Sequence, residues 1–188
     1  FYNIYGASSY ITGSHAIRFG VQWGSGWIKS WRDANGDMVQ RYSNGVPNSV
    51  QRWNFPIPEA KSNLDYLWGI FLQDSWTLRK LTLNPGIRFE AIRGSVPAQT
   101  APAGRFVPAR SFAAIENLPN WKNIAPRFGA AYDLFGNGKT AIKGSLGKYM
   151  QQEATGFAAK YNPLVEGSDV VTWSDLNGND IAEDNELG

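Results

Sequence analysis

The chain has 188 residues, 18 Lys and Arg against 16 Asp and Glu, a single His and no Cys. That is one domain's worth of chain. Without Cys there is no disulfide framework, thiolate zinc site or Cys nucleophile, and a net charge of +2 spread along the chain leaves no electrostatic footprint for DNA or RNA. Charged residues are only 18% of the total, against about 25% in ordinary domains, and 20 Gly with 10 Phe, 8 Trp and 8 Tyr take their place.

In chain order, Phe1 to Ile11 is a run of strand-forming residues that reads as mid-strand from its first position, with no Met and no basic start followed by an apolar core. It is not a signal peptide, and the chain is expected to be a fragment cut at both ends. From His15 to Trp23, Ile17, Phe19, Val21 and Trp23 alternate with Ala16, Arg18, Gly20 and Gln22. From Leu64 to Leu78 the apolar set is Leu64, Tyr66, Trp68, Ile70, Leu72, Trp76 and Leu78, broken by Asp74. Leu81 to Ala91 alternates most cleanly: Leu81, Leu83, Pro85, Ile87, Phe89 and Ala91 oppose Thr82, Asn84, Gly86, Arg88 and Glu90. Ile124 to Leu134 and Thr140 to Met150 repeat the code, with Phe128 and Ile142 on one face and Arg127, Asp133 and Lys143 on the other. Period two means strand, so six strands are predicted, longer than the usual ~5 to 6 residues. The longest apolar stretch, Leu67 to Leu72, is far below the ~20 residues of a membrane-spanning helix.

The connections come in two kinds. Thr12-Gly13-Ser14, Arg79-Lys80 and Gly136 to Lys139 are short turns, whereas Ser25 to Asn63, Gly94 to Asn120 and Gln151 to the end are long. Strict alternation puts all short turns at one end of an antiparallel meander and all long loops at the other, the layout of an outer-membrane β-barrel wall. The predicted fold class is therefore all-β: an antiparallel meander of about six long strands, part of a transmembrane barrel. Residues 1–151 are read as wall, with short periplasmic turns and long extracellular loops, and 152–188 as part of an extracellular loop. A face of Gly, Ala, Ser and charges suits a wide, wet lumen. A soluble β-sandwich with a polar exterior is the rival reading.

The motifs themselves resemble a known family. Phe71-x-Gln73-Asp74-x-Trp76 followed across a tight turn by Leu81-Thr82-Leu83-Asn84-x-Gly86-x-Arg88-Phe89, then Pro126-Arg127-x-Gly129-x-x-Tyr132-Asp133-Leu134-Phe135-Gly136-x-Gly138-Lys139-Thr140, and earlier Gly13-Ser14-His15-x-x-x-Phe19-Gly20-Val21, are similar to paired-strand signatures of TonB-dependent outer-membrane receptors. Within that family the chain is similar to the large receptors with a carboxypeptidase-regulatory-like N-terminal domain. The resemblance runs from Tyr5 to Tyr149 in pieces and leaves the long loops unmatched. It implies a barrel of about 22 strands, plugged by an N-terminal domain, that imports a large ligand such as a siderophore or oligosaccharide when the TonB complex pulls on the plug. It also implies a place in the bacterial outer membrane against its lipid. No plug and no TonB-box candidate is legible in these residues, so a passive pore or structural barrel, and a soluble carbohydrate-binding module, stay open.

Candidate sites are few. Trp27, Trp31, Trp53, Trp121, Tyr161 and Trp173 lie in or beside the long loops, where aromatics either stack on a ligand or pack the loops together. The lumen-facing charges Arg88, Glu90, Arg127, Asp133 and Lys143 either guide an anionic ligand or pair in ladders across neighbouring strands. Ala98 to Gly104, low in charge and rich in Ala and Pro, is expected to be mobile. Asp175, Asn177, Asn179 and Glu186 occupy the first, third, fifth and twelfth positions of a calcium loop; Asp180 replaces the expected Gly and no amphipathic helices flank the loop, so a solvated turn competes with calcium. Gly136 to Thr140 is a hairpin turn and not a phosphate loop, because a strand follows it. A lone His15 assembles no dyad with a second His, no nucleophile constellation is present, and no enzymatic activity, cofactor or nucleic-acid partner is expected.

Overall fold

The computed structural model describes residues 1–151 and 153–188. Eleven strands run in chain order: β1 Tyr2–Thr12, β2 His15–Arg32, β3 Met38–Ser43, β4 Val46–Trp53, β5 Ile57–Leu78, β6 Leu81–Ser95, β7 Gln99–Ala101, β8 Arg110–Phe112, β9 Asn120–Asp133, β10 Ala141–Gly147 and β11 Ser168–Thr172. One short helix, α1, spans Gly156–Lys160. The chain divides into two compact units, residues 1–27, 62–95 and 116–160, and residues 28–61, 96–115 and 161–188.

The first unit carries the long-strand sheet, ordered β1-β2-β5-β6-β9-β10. All six predicted strands are present, in the predicted antiparallel order. Pairing follows the three short turns: Thr12 opposite His15, Leu78 opposite Leu81, and Asp133 opposite Ala141. At the last turn, Asp133 accepts from the backbone N–H groups of Gly136 at 3.0 Å and Gly138 at 2.8 Å, and both glycines have positive φ, 72° and 69°. Those left-handed positions are what Gly supplies without steric cost.

Register puts the predicted apolar sets on one face, apart from Leu64 and Met150, which pack on the other. Ile70 lies opposite Phe89, and Phe89 opposite Ile124; Leu72 lies opposite Ile87, and Ile87 opposite Pro126; Phe128 lies opposite Leu146, and Tyr132 opposite Ile142. Most of these side chains are exposed. A bulge between Leu64 and Tyr66 shifts β5. Near the long-loop end of the opposite face, Leu64, Leu67 and Ile92 form a small buried cluster with Met150 against it.

The long connections are themselves folded. The 25–63 connection is not an irregular loop: β2 continues to Arg32, β3 and β4 form a hairpin, and β5 begins at Ile57. Residues 161–188, read from sequence as part of a long loop, fold with 28–61 and 96–115. In this second unit β11, β4 and β3 make a three-stranded sheet and β7 pairs with β8. Phe55, Ile57, Ala60, Ala101 and Leu164 form one core cluster, and Val50, Trp173 and Ala182 another. The segment expected to be mobile is tied down: Gln99 and Ala101 are buried, and β7 pairs with β8 from Gln99 opposite Phe112 to Ala101 opposite Arg110. Composition missed this because Gln99 fixes the backbone, its amide donating to Asn162 Oδ1 at 2.9 Å.

Candidate functional site: the polar face of the long-strand sheet

Alternation alone decides which residues share this face, and register decides who meets whom. Phe71 lies opposite Arg88, which lies opposite Ala125. One step toward the short turns, Gln73, Gly86, Arg127 and Gly147 form a row across four strands. The next row holds Asn84, Gly129 and Ser145. Gly86 leaves a hollow between longer neighbours, an open cavity of about 280 Å³ lined among others by Tyr5, Arg18, Phe71, Gln73, Arg88 and Arg127.

The long side chains lie flat on glycines. A Cβ on Gly20 would come within 2.4 Å of the Phe71 ring, and one on Gly69 within 2.4 Å of the Arg88 guanidinium. Phe71 stacks with Tyr5 at 6.4 Å between centroids and an interplanar angle of 13°. The Arg18 guanidinium sits 5.9 Å from the centre of the Phe71 ring, and that of Arg127 4.5 Å from the centre of the Tyr149 ring. Arg88 Nε donates to Glu90 Oε1 at 2.7 Å and Nη2 to Gln22 Oε1 at 2.9 Å.

The charged residues singled out from sequence are thus not one ladder. Arg88 and Glu90 pair along a single strand, two residues apart, and are largely covered. Asp133 belongs to its turn. Lys143 lies opposite Ala131, outside the hollow. The residues that alternation placed on this face but that drew no attention are Tyr5, Arg18, Phe71, Gln22 and Gln73. Their signal was present in the parity of β1, β2 and β5, but the sequence gives no account of which strands are neighbours.

The loop aromatics divide. Trp173 is 2% exposed in the second unit's core, with its Nε1 donating to Glu186 Oε2 at 3.4 Å, so it is not a ligand surface. Trp53 stacks on Phe55, centroids 5.3 Å apart, and Trp121 meets Phe157 of α1 edge-on at 4.9 Å. Trp27, Trp31 and Tyr161 are exposed, Trp31 at 72%.

The side-chain oxygens of Asp175, Asn177, Asn179 and Glu186 are engaged by backbone N–H groups. Asp175 accepts from the N–H groups of Gly178, Asn179 and Asp180, Asn177 and Asn179 accept from Asn179 and Ile181, and Glu186 accepts from Leu176 and Glu183. The Asp180 N–H chiefly, with Gly178 and Asn179, holds the Asp175 carboxyl below the usual carboxylate range against the effect of burial. For Glu186, burial pushes upward, and the N–H groups of Leu176 and Glu183 with the Trp173 indole bring the net direction down. Among the described residues, no group of three or more His, Cys, Asp or Glu is placed to hold a metal ion, and no helix is long and apolar enough to cross a membrane.

Among protein families, a model described as an outer membrane beta barrel domain matches residues 1–185. Searches of curated proteins and of solved structures gave no match.

Proposed function

The chain belongs to the outer membrane beta barrel domain family and to the bacterial outer membrane, and from that premise we propose that it is a wall segment of a TonB-dependent receptor importing a large ligand. Its polar face then lines the lumen, its three short turns face the periplasm, and its long connections face outside. The observation that carries the reading is the contrast between the two kinds of connection. Turns as short as Arg79-Lys80 alternate with stretches that fold into strands and cores of their own. A bare structural wall has no use for that, whereas a receptor needs a rigid ligand-reading surface on one side. The motif resemblance of β5, β6 and β9 adds to it.

In this proposal the ligand is a siderophore, an oligosaccharide or a similar bulky solute. The TonB complex acts through a plug domain outside these residues, and the segment performs no catalysis. Exposed Trp27, Trp31 and Tyr161 are the aromatic contacts proposed for the ligand. A passive pore would present the same polar face, and energy dependence separates the two. In cells carrying the full-length protein, collapse of the inner-membrane proton gradient is expected to abolish uptake of its ligand. Unchanged uptake overturns the receptor reading in favour of the pore.

A further inference from the structure

We propose that the glycine-floored hollow on the lumenal face is an anion-binding site that takes a carboxylate-bearing portion of the solute in the barrel. The inference rests on this face lining a water-filled lumen, and not on uptake being energised.

Three guanidiniums, those of Arg18, Arg88 and Arg127, line one cavity of about 280 Å³. Of these, Arg88 alone has an acidic partner, Glu90 at 2.7 Å. Arg18 and Arg127 have none within ion-pair distance among the described residues, and their recorded neighbours are the ring faces of Phe71 and Tyr149. A guanidinium whose neighbour is an aromatic ring keeps N–H groups free for an incoming acceptor. Among the described residues Asp74 is the one acid of the lining; by alternation it shares the face of β5 that carries Trp76, and its Oδ2 is held by His15 Nδ1 at 2.5 Å. Arg88 is committed to Glu90 and Gln22, so Arg18 and Arg127 give the site its positive charge and its open donors, in a wall whose low-dielectric outer side concentrates the field on the lumen.

The shape has a residue-level origin. Gly86, which lines the hollow, sits between Gln73 and Arg127 in one cross-strand row, so no side chain fills the space between them, while the Tyr149 ring lies against the Arg127 guanidinium. Gln22 and Asn84 add side-chain amides at the edge, and the stacked rings of Tyr5 and Phe71 give a flat apolar shoulder. Paired forks beside a ring platform match planar carboxylates, which Arg binds bidentately.

The probe is citrate, titrated into the full-length protein in detergent micelles at low ionic strength and followed by calorimetry, with triethyl citrate as the uncharged counterpart. Citrate is expected to bind and triethyl citrate not to. Arg18→Gln and Arg127→Gln are each expected to weaken citrate binding, together at least tenfold, while Lys139→Gln, which removes the same charge as either single variant from the exposed Gly136 to Thr140 turn, leaves it within about twofold. Arg18→Lys with Arg127→Lys, which keeps the charge and removes the fork, is expected to fall between. Absence of citrate binding, equal binding of the ester, or equal weakening by Lys139→Gln overturns the site. Both arginines are exposed, so their replacement leaves packing intact, and heat-modifiable electrophoretic mobility reports folding of each variant. Failure of energised uptake with citrate binding intact would remove the receptor reading and leave the site standing.

Discussion

Gly20 and Gly69 carry no chemistry, yet they set where the lumenal side chains lie. The atoms facing the missing Cβ differ between them. At Gly69 it is the far end of the Arg88 side chain; at Gly20 it is the Phe71 ring and, at 2.8 Å, the carbonyl oxygen of Gly6 on the next strand. A guanidinium swings aside easily, while a ring and a backbone carbonyl do not. Gly20→Ala is therefore expected to destabilise the refolded barrel by about 1–3 kcal/mol, the range of overpacking, and Gly69→Ala by less than about 1 kcal/mol, measured by urea unfolding in micelles. Equal costs would mean that the wall yields at Gly20 as readily as a flexible side chain. The same scale shows how far residue type alone goes. Trp31 and Trp173 are alike as loop tryptophans, but one is exposed and the other closes a core with Val50 and Ala182. Trp173 owes its burial in part to Val50 and Met38, more than a hundred positions upstream, which no local pattern around Trp173 reveals.

Among the elements, the six wall strands were legible because each keeps one face apolar for lipid over most of its length, and that constraint writes period two into the sequence. Where strands leave the wall the constraint lapses. The upper part of β2, from Gly24 to Arg32, and the start of β5 do not alternate cleanly, so their strand character came only with the structure. The turn-rich segment from Asp175 to Glu186 shows the converse. Its spacing matched a cation loop, but the carboxylates are taken by backbone N–H groups. A carboxyl whose pKa is lowered in the fold contributes stability that is fully present above its unfolded value, about 3.9 for Asp, and is lost as pH falls through the folded value. Protection factors for the Gly178, Asn179 and Asp180 amides are thus expected to hold from pH 7 down to about pH 5 and to collapse below about pH 4. Asp175→Asn is expected to flatten that dependence, and an undiminished collapse in the variant would place the acid sensitivity elsewhere. Asp169, held low chiefly by its hydrogen bond from Arg52, titrates in the same direction and ties β11 to β4.

For the molecule as a membrane wall, the aromatic residues give the scale. Tyr66 and Trp76 lie ten positions apart on the apolar face of β5, about 33 Å of strand at about 3.3 Å per residue. A tilt of about 40° turns this into about 25 Å of height, the thickness of the apolar band of an outer-membrane barrel. Trp23 packs near Trp68 at one end, with ring centroids 6.5 Å apart, and Tyr132 stands at the other, opposite Leu81. Ile87, within this band, is expected to cost about 2–4 kcal/mol on replacement by Lys, and Ser145 on the polar face close to nothing on the same replacement, by equilibrium unfolding into lipid. Spin labels at Ile87, Phe128 and Ile142 are expected to relax with a lipid-soluble agent; broadening by a water-soluble one at these sites would contradict the lipid-facing assignment. A soluble sandwich, the rival from alternation, does not survive the family assignment. By itself the sequence determined the six wall strands, their antiparallel order, the two faces and the end at which the short turns lie, because periodicity and turn chemistry are local and the bilayer enforces them residue by residue. Tertiary structure alone decided that the long connections fold, that Trp173 is core, and that Arg18, Arg88 and Arg127 share one hollow, because those facts depend on which distant strands become neighbours and on where a missing side chain leaves space.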